Sequence, residues 1–215
     1  MATVDAAADI RLERVTGTIG AIVHGVGLDE RSPVIAETLI RALHEHGVLF
    51  FKYPEGVTEE QFTGFSELFG ELEGPYRLSM KKQSTAGYID AEHVPLKASR
   101  INVFHTDGTA FESPPQAAML ALVELPEVGG GTTWASMYAA WDDLSAFDQR
   151  LLDELDVAHN TKRLPFLKET PETVHPAVIR DKTTGKKALF VNVNYSDRIV
   201  GMGLYKLEVD TADTV

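Results

Sequence analysis

The residues best suited to chemistry are a histidine and an aspartate separated by one residue, His105 and Asp107. They lie between an extended-looking run at 98–103 and a Pro-Pro pair at 114–115. On a strand, residues i and i+2 project to the same face, so the imidazole and the carboxylate are predicted to point together. These are two of the three protein groups in the 2-His-1-carboxylate facial triad of non-haem Fe(II) oxygenases.

The same spacing also arises by chance. With 7 His and 32 acidic residues among 215, about one His-x-Asp or His-x-Glu is expected in a chain without any metal site. The tripeptide therefore suggests an iron site and leaves a chance occurrence open.

Composition narrows the function classes. The net charge of −12 argues against a general nucleic-acid surface and gives no reason to expect attraction to anionic membranes.

The chain has no cysteine, which excludes disulfides and thiolate metal sites and leaves His and carboxylate as metal ligands. Its N-terminus lacks the basic and apolar regions of a signal peptide, and no apolar run reaches membrane-spanning length. We expect one cytoplasmic domain over residues 1–215.

The first half of the chain predicts two helices around a buried strand. Short strands joined by glycine turns are expected at 11–28. A helix is predicted from Ser32, with Pro33 at its first position and Gly47 as its stop. An apolar strand follows at 47–52, and a second helix begins with a Thr58/Gln61 capping box. The phenylalanines of that helix recur at helical spacing, as expected for core packing: Phe62, Phe65 and Phe69.

The second half predicts short strands and one more helix. Residues 71–100 are predicted to be a long loop region, either a mobile surface excursion or a place for substrate contacts. Buried or short strands are expected at 116–125, 157–164, 174–179 and 188–192, with a hairpin turn at 183–186. A glycine turn at 129–134 is expected to run into another short strand. Ser145 is predicted to cap a helix that turns Phe147, Leu151, Leu152 and Leu155 inward. This pattern indicates an α+β, mostly β domain, with a β-sandwich or jelly-roll core flanked by helices.

Taken together, these residues resemble the taurine/dichlorophenoxyacetate dioxygenase family (TauD/TfdA), Fe(II)- and 2-oxoglutarate-dependent enzymes on a double-stranded β-helix. The resemblance runs from about residue 19 to residue 202. Two further segments, 137–141 and 172–176, are most similar to the aryloxyalkanoate-degrading branch. The matching blocks are 47–51 (GVLFF), 69–72 (FGEL), 104–111 (FHTDGTAF), 114–115 (PP), 125–126 (LP), 129–134 (GGGTTW), 175–176 (HP), 185–192 (GKKALFVN) and 198–202 (RIVGM).

The resemblance implies a set of site residues and cofactors. His105 and Asp107 would ligate Fe(II), and Thr132 would hydrogen-bond a carboxylate of the cosubstrate 2-oxoglutarate, with O2 as the oxidant. The carboxylate of Asp107 distinguishes the chain from the halogenases of the family, which have a small residue there. His175 is expected to be a structural histidine before a Pro-bounded strand and not a ligand.

One part of the family pattern is not matched. The second iron histidine and the 2-oxoglutarate arginine of the family lie near the C-terminus, and residues 203–215 contain neither His nor Arg. The protein is expected either to continue beyond these residues or to be truncated, and we favour the first because an open barrel would lack its closing strands.

The implied activity is hydroxylation of a small, anionic organic substrate, with release of succinate and CO2. An aryloxyalkanoate, a sulfonate or a sulfate is expected, with Tyr76 and Arg77 as candidate substrate contacts. Two alternatives stay open: a biosynthetic oxidase of the same family that acts on an amino-acid-derived substrate, and a non-catalytic relative without a complete iron site. The family resemblance also makes a homo-oligomer possible.

Overall fold

The computed structural model describes residues 10–72, 104–124, 127–129, 131–163, 170–192 and 194–201. Eight short strands and four α-helices lie in these ranges, which confirms the predicted mixture of helices with more numerous strands. The strands form three small sheets, and the double-stranded β-helix stays a prediction. The chain divides into two compact units, Met1–Ile89 with Ala117–Ser136, and Asp90–Gln116 with Met137–Val215. A single domain over 1–215 also stays a prediction.

The first unit contains a three-stranded sheet and two helices. Strand β1 (Arg11–Arg14) pairs antiparallel with β2 (Ala21–His24), and β2 pairs parallel with the two-residue β3 (Leu49–Phe50). Helix α1 (Pro33–His46) connects β2 to β3, as a parallel pair requires. Helix α2 (Glu59–Ser66) continues into a 3₁₀ turn at Glu67–Phe69.

Local sequence signals set the ends of both helices. Pro33 opens α1, and Gly47 closes it in the left-handed region at φ 71°, where its N–H donates to the carbonyl of Leu43. At α2 the hydroxyl of Thr58 accepts from the N–H of Gln61, and the side chain of Gln61 accepts from the N–H of Thr58. These predictions are confirmed, and the strand predicted at 47–52 is shortened to two half-buried residues.

The core of the first unit is apolar. Phe65 lies at its centre, with its ring edge against Phe51 at 5.1 Å and against Phe69 at 6.1 Å between centroids. Two members of the predicted aromatic stripe, Phe65 in α2 and Phe69 in the 3₁₀ turn, therefore pack in the core as predicted. The buried members of this core are Val23, Ile35, Leu39 and Phe65.

The second unit contains two short helices, a three-stranded sheet and a hairpin. Its helices are α3 (Met137–Asp142) and α4 (Ala146–Asp153), the latter capped by Ser145 as predicted. Strand β4 (Asp156–His159) lies between β5 (Thr173–Pro176) and β8 (Ser196–Gly201), antiparallel to both. Strands β6 (Val178–Arg180) and β7 (Lys187–Leu189) form the predicted hairpin, with Gly185 at φ +73° in its turn.

Several predicted elements differ from those observed. Residues 116–124 and 131–136 form no strand, and Leu122 and Val123 are 59% and 73% exposed. An apolar run becomes a strand only where a partner satisfies its backbone groups, which the run itself does not specify. Four residues in and just after α4 were predicted to face the core. Phe147 and Leu151 are exposed instead, and the prediction is confirmed for Leu152 and Leu155, which pack in an apolar cluster. Helix α3 and strand β8 were not predicted. No helix in the described ranges is long and apolar enough to cross a membrane.

Candidate metal centre

Asp107 is the first residue of a turn, and His105 lies two residues before that turn. Residues 107–110 form this turn, Gly108 takes φ 72° within it, and the N–H of Phe111 donates to the carbonyl of Gly108 at 3.0 Å. The prediction that the pair lies on a strand is therefore wrong, although the run at 98–103 lies outside the described residues. The predicted convergence is nevertheless observed: Nε2 of His105 lies 3.4 Å from Oδ1 of Asp107.

The two side chains are accessible enough to share an ion. The side chain of His105 is 28% exposed and that of Asp107 is 60% exposed. Neighbouring ligands of an octahedral ion with bonds of ~2.1 Å lie ~3 Å apart, close to the separation seen here. An imidazole nitrogen with a carboxylate oxygen is also a donor set that suits Fe(II). The pair fits two positions of an iron site. Among the described residues, no group of three or more His, Asp or Glu side chains is arranged to hold a metal.

The opposite side of the turn is buried and polar. Thr109 has no exposed surface, and its Oγ1 lies 3.0 Å from Nδ1 of His159, on the last residue of β4. The amide nitrogen of Asn192 donates to the same hydroxyl at 3.1 Å and to the carbonyl of Thr106 at 3.4 Å. Side chains from two distant parts of the sequence therefore hold the turn at Thr109.

Strand β5 holds the C-terminal end of the turn through two more carbonyls. The hydroxyl of Thr173 donates to the carbonyl of Ala110 at 3.0 Å. Nε2 of His175 lies 2.9 Å from the carbonyl of Phe111, and because a carbonyl only accepts, this nitrogen carries the proton. His175 is thus bonded to the backbone, as a structural histidine would be.

Behind the turn, three rings pack together. The ring of His159 lies edge-to-face with that of His175 at 5.4 Å between centroids and stacks on Phe190 at 5.8 Å. Burial, together with the neighbouring His175, lowers the pKa of His159 to about 4. His159 is therefore neutral at pH 7. Its second nitrogen, Nε2, is buried and has no hydrogen-bond partner among the described residues.

Tyr195 borders the turn on the side of the aspartate. Its side chain is buried against Ala110. Burial raises the pKa of the Tyr195 hydroxyl, and the negative charge of Asp107 raises it further, while a backbone hydrogen bond from Gly108 lowers it. The hydroxyl therefore stays protonated near neutral pH.

The roles of the other predicted site residues stay predictions. Thr132 is exposed and lies in the first unit, and its contact with 2-oxoglutarate stays a prediction. Tyr76 and Arg77 lie outside the described residues.

Sequence reasoning missed His159, Asn192 and Tyr195 as neighbours of the turn. The available signal was a histidine, His159, directly after the apolar residues Val157 and Ala158. A histidine that continues a buried strand is itself expected to be buried and then needs a hydrogen-bond partner. Asn192 belongs to the block 185–192 that carried the resemblance, but its contact with a turn 83 residues earlier could not be predicted from that block.

Comparison with known proteins decides the family. The model of the family described as "Taurine catabolism dioxygenase TauD, TfdA family" matches residues 11–211. The chain belongs to this family. The assignment confirms the resemblance, and the match spans parts of both compact units.

Proteins that are similar to this chain include two whose names refer to sulfate chemistry. The chain is 29% identical to an alkylsulfatase of Acinetobacter baylyi, over 89% of this chain and 65% of that protein. It is 28% identical to an alpha-ketoglutarate-dependent sulfate ester dioxygenase of Pseudomonas putida, over 95% of this chain and 73% of that protein. The chain thus spans about two thirds of the length of the first of these relatives.

A solved structure shares the fold. The crystal structure of a taurine dioxygenase from Burkholderia xenovorans superposes with a TM-score of 0.71 at 28% sequence identity, covering 95% of this chain and 71% of that one.

Proposed function

We propose that this TauD/TfdA family member is an Fe(II)- and 2-oxoglutarate-dependent dioxygenase acting on a small sulfate ester or related anion. One observation carries the proposal: in a chain of this family, an imidazole and a carboxylate with accessible side chains lie 3.4 Å apart at the start of a turn. Its two named sulfate relatives support the substrate class.

His105 and Asp107 would hold the iron, and Thr132 would bind a carboxylate of 2-oxoglutarate. When bound, iron and cosubstrate supply an O2-dependent oxidation of a substrate C–H bond, in which 2-oxoglutarate becomes succinate and CO2. Among the described residues the third protein ligand of a facial triad is not assigned, and no histidine follows His175 in the sequence. The protein's own part is to hold the two ligands in place and to keep their donor atoms accessible.

The substrate class predicts the products. Hydroxylation of the carbon bonded to the ester oxygen gives an unstable hemiacetal sulfate, which breaks into an aldehyde and sulfate. For a sulfonate, the corresponding carbon–sulfur cleavage releases sulfite. Tyr76 and Arg77 stay candidates for contacts with the anionic group, since a guanidinium pairs well with oxyanions. The jelly-roll core, the single domain, the cytoplasmic location and the possible homo-oligomer remain parts of this proposal.

The test is an anaerobic titration followed by turnover. Fe(II) and 2-oxoglutarate added to the protein should give a visible charge-transfer band, and admission of O2 with a substrate should release succinate. A panel of alkyl sulfates, alkyl sulfonates, aryloxyalkanoates and amino acids separates the substrate classes. Sulfate release with an alkyl sulfate is the expected result, whereas turnover of amino acids alone would favour the biosynthetic oxidase.

Two variants make the titration specific. His105→Ala should lose the band, and His24→Ala, which changes an exposed histidine on β2, should keep it. If the folded wild-type protein gives neither a band nor succinate, the chain is a non-catalytic relative and the proposal fails.

A further inference from the structure

The hydroxyl of Thr109 is the point where the turn meets two other segments of the chain. Thr109 is two residues from Asp107, has no exposed surface, and bonds to both His159 and Asn192. A threonine hydroxyl offers one donor and two acceptor positions. The amide of Asn192 uses one acceptor position, which leaves the others for the ring nitrogen of His159.

The bond to Thr109 is the only hydrogen bond that the described residues give the His159 side chain. Its Nδ1 lies 3.0 Å from Thr109, and its Nε2 is buried without a partner there. Burying an imidazole costs free energy that an apolar ring in the same place would not cost. The stacking of His159 on Phe190 could be made by another phenylalanine, so packing alone does not account for a histidine.

Asn192 ties the same hydroxyl to the start of the turn. Its amide nitrogen reaches Thr109 and the carbonyl of Thr106, and its amide oxygen accepts from the backbone N–H of Tyr195 at 3.1 Å. The Asn192 side chain therefore links Thr106, which lies between the two candidate ligands, to the backbone of Tyr195.

We propose that Thr109, His159 and Asn192 are positioning residues, which fix the turn so that His105 and Asp107 are held at ligand spacing before any metal arrives. This inference rests on the proposed iron site. The buried hydrogen bonds act on the ligands through the backbone of residues 106–109, as outer-shell partners of metal ligands do. Holding the turn in advance reduces the ordering that metal binding would otherwise require.

The main test removes the shared hydroxyl with Thr109→Val, which keeps the shape of the side chain. The dissociation constant for Mn(II), a redox-stable stand-in for Fe(II), is measured by electron paramagnetic resonance under anaerobic conditions. Loss of an outer-shell partner typically weakens metal binding about 10- to 100-fold, and that is the expected change. In the metal-free protein, amide hydrogen exchange at Phe111 should accelerate, because its N–H closes the turn.

A matched control separates positioning from general destabilisation. Thr161 is also buried, at 4% exposure, and its hydroxyl accepts from the N–H of Thr170 away from the turn. Thr161→Val should leave Mn(II) affinity and Phe111 exchange unchanged. Thr109→Ser, which restores a hydroxyl, should recover most of the affinity lost in Thr109→Val.

A second variant covers the case in which Thr109→Val folds poorly. His159→Phe keeps an aromatic ring on Phe190 and removes the bond to Thr109, so it should raise the Mn(II) dissociation constant and Phe111 exchange in the same direction. Unchanged affinity and exchange in both variants would overturn the positioning role. If the wild-type protein binds no metal while both variants accelerate exchange, the positioning stands and the proposed iron site fails.

Discussion

The apolar core of the first compact unit contrasts with the buried polar group beside the candidate ligands in the second. In the first, the core formed by Val23, Ile35, Leu39 and Phe65 is entirely apolar. In the second, the buried residues around the candidate ligands include Thr109 and His159, each with no exposed surface. An apolar core gains free energy from any close packing, whereas a buried polar group gains only if its specific partner is present. The apolar core therefore contributes stability by packing, and the polar group fixes the geometry of the turn in a unit whose own apolar cluster lies at Leu155, Val157 and Ala177.

The range of the contacts differs in the same way. The cap of α2 joins Thr58 to a residue three positions away, whereas Thr109 meets His159 across 50 residues and Asn192 meets Thr106 across 86. The contacts of the cap lie within one helical turn, whereas the partners of the turn at 107–110 come from segments far away in the sequence.

The largest effect is expected in the apolar core. Leu39 on α1 has no exposed surface, and Leu39→Ala should lower the free energy of unfolding by about 2–5 kcal/mol because it removes buried methyl groups and leaves a cavity. Val34→Ala on the same helix is the control, since Val34 is 55% exposed and should change stability by less than about 0.5 kcal/mol. Urea unfolding measures both. Equal losses would contradict the assigned core.

The second prediction concerns the buried histidine of the polar interior. The pKa of His159 falls from 6.5 to about 4 on folding, so between these values the unfolded chain binds the proton and the folded one does not. Stability from this residue is therefore full above about pH 6.5 and is lost as the pH falls towards 4. The loss amounts to about 3 kcal/mol, since each pKa unit corresponds to about 1.4 kcal/mol.

His159→Phe isolates this contribution. Urea unfolding of the wild-type protein and the variant at pH 7 and at pH 4.5 gives the pH dependence of each. The wild-type protein should lose more stability than the variant, which has no proton to bind at this position. An identical pH dependence would show that His159 is not buried neutral.

The third prediction is that the N-terminal caps of α2, in the first unit, and α4, in the second, contribute equally to the free energy of unfolding. Thr58→Ala and Ser145→Ala each remove a side-chain acceptor for a helix N–H, of Gln61 in α2 and of Asp148 in α4. Each should cost about 1 kcal/mol in the free energy of unfolding. The hydroxyl-retaining exchanges Thr58→Ser and Ser145→Thr serve as controls and should cost less. If only one of the two alanine variants lost stability, the two caps would not make equivalent local contributions.

The smallest effect is expected at the surface of the second unit. Nη2 of Arg198 lies 2.7 Å from Oε1 of Glu172, but the side chains are 54% and 32% exposed. Glu172→Gln should therefore cost less than about 1 kcal/mol. Unfolding at low and at high salt provides the check, because screening should reduce the difference between wild type and variant. A salt-independent loss above this value would mean that the pair is effectively buried.

Sequence reasoning succeeded where the signal was local. The start and stop of α1, the capping box of α2, the Ser145 cap and the β6–β7 hairpin were all predicted from residues within a few positions of each other. It failed for 116–124 and for the pairing of β8 with β4, because strand pairing depends on segments far apart in the chain.

At the candidate site, the same division holds. The choice of His105 and Asp107 as candidate ligands came from residue types and spacing and stays a prediction, whereas the family, also predicted from the sequence, is confirmed. The strand predicted at this pair was wrong: Asp107 begins a turn in which Gly108 takes φ 72°, and His105 lies two residues before it. Neither the 3.4 Å separation nor the three side chains that meet at Thr109 follow from residue spacing.

The sequence by itself determined the residue types that can bind a metal, the absence of thiolate ligands, the helix ends and the family. Only the tertiary structure decided that the imidazole and the carboxylate converge at the start of a turn, and that a neutral histidine and an asparagine form hydrogen bonds with the buried side of that turn. The physical reason is the sequence separation of the residues that interact. Caps, turns and periodicity are interactions between near neighbours, whereas buried hydrogen bonds between distant segments exist only after the chain has packed.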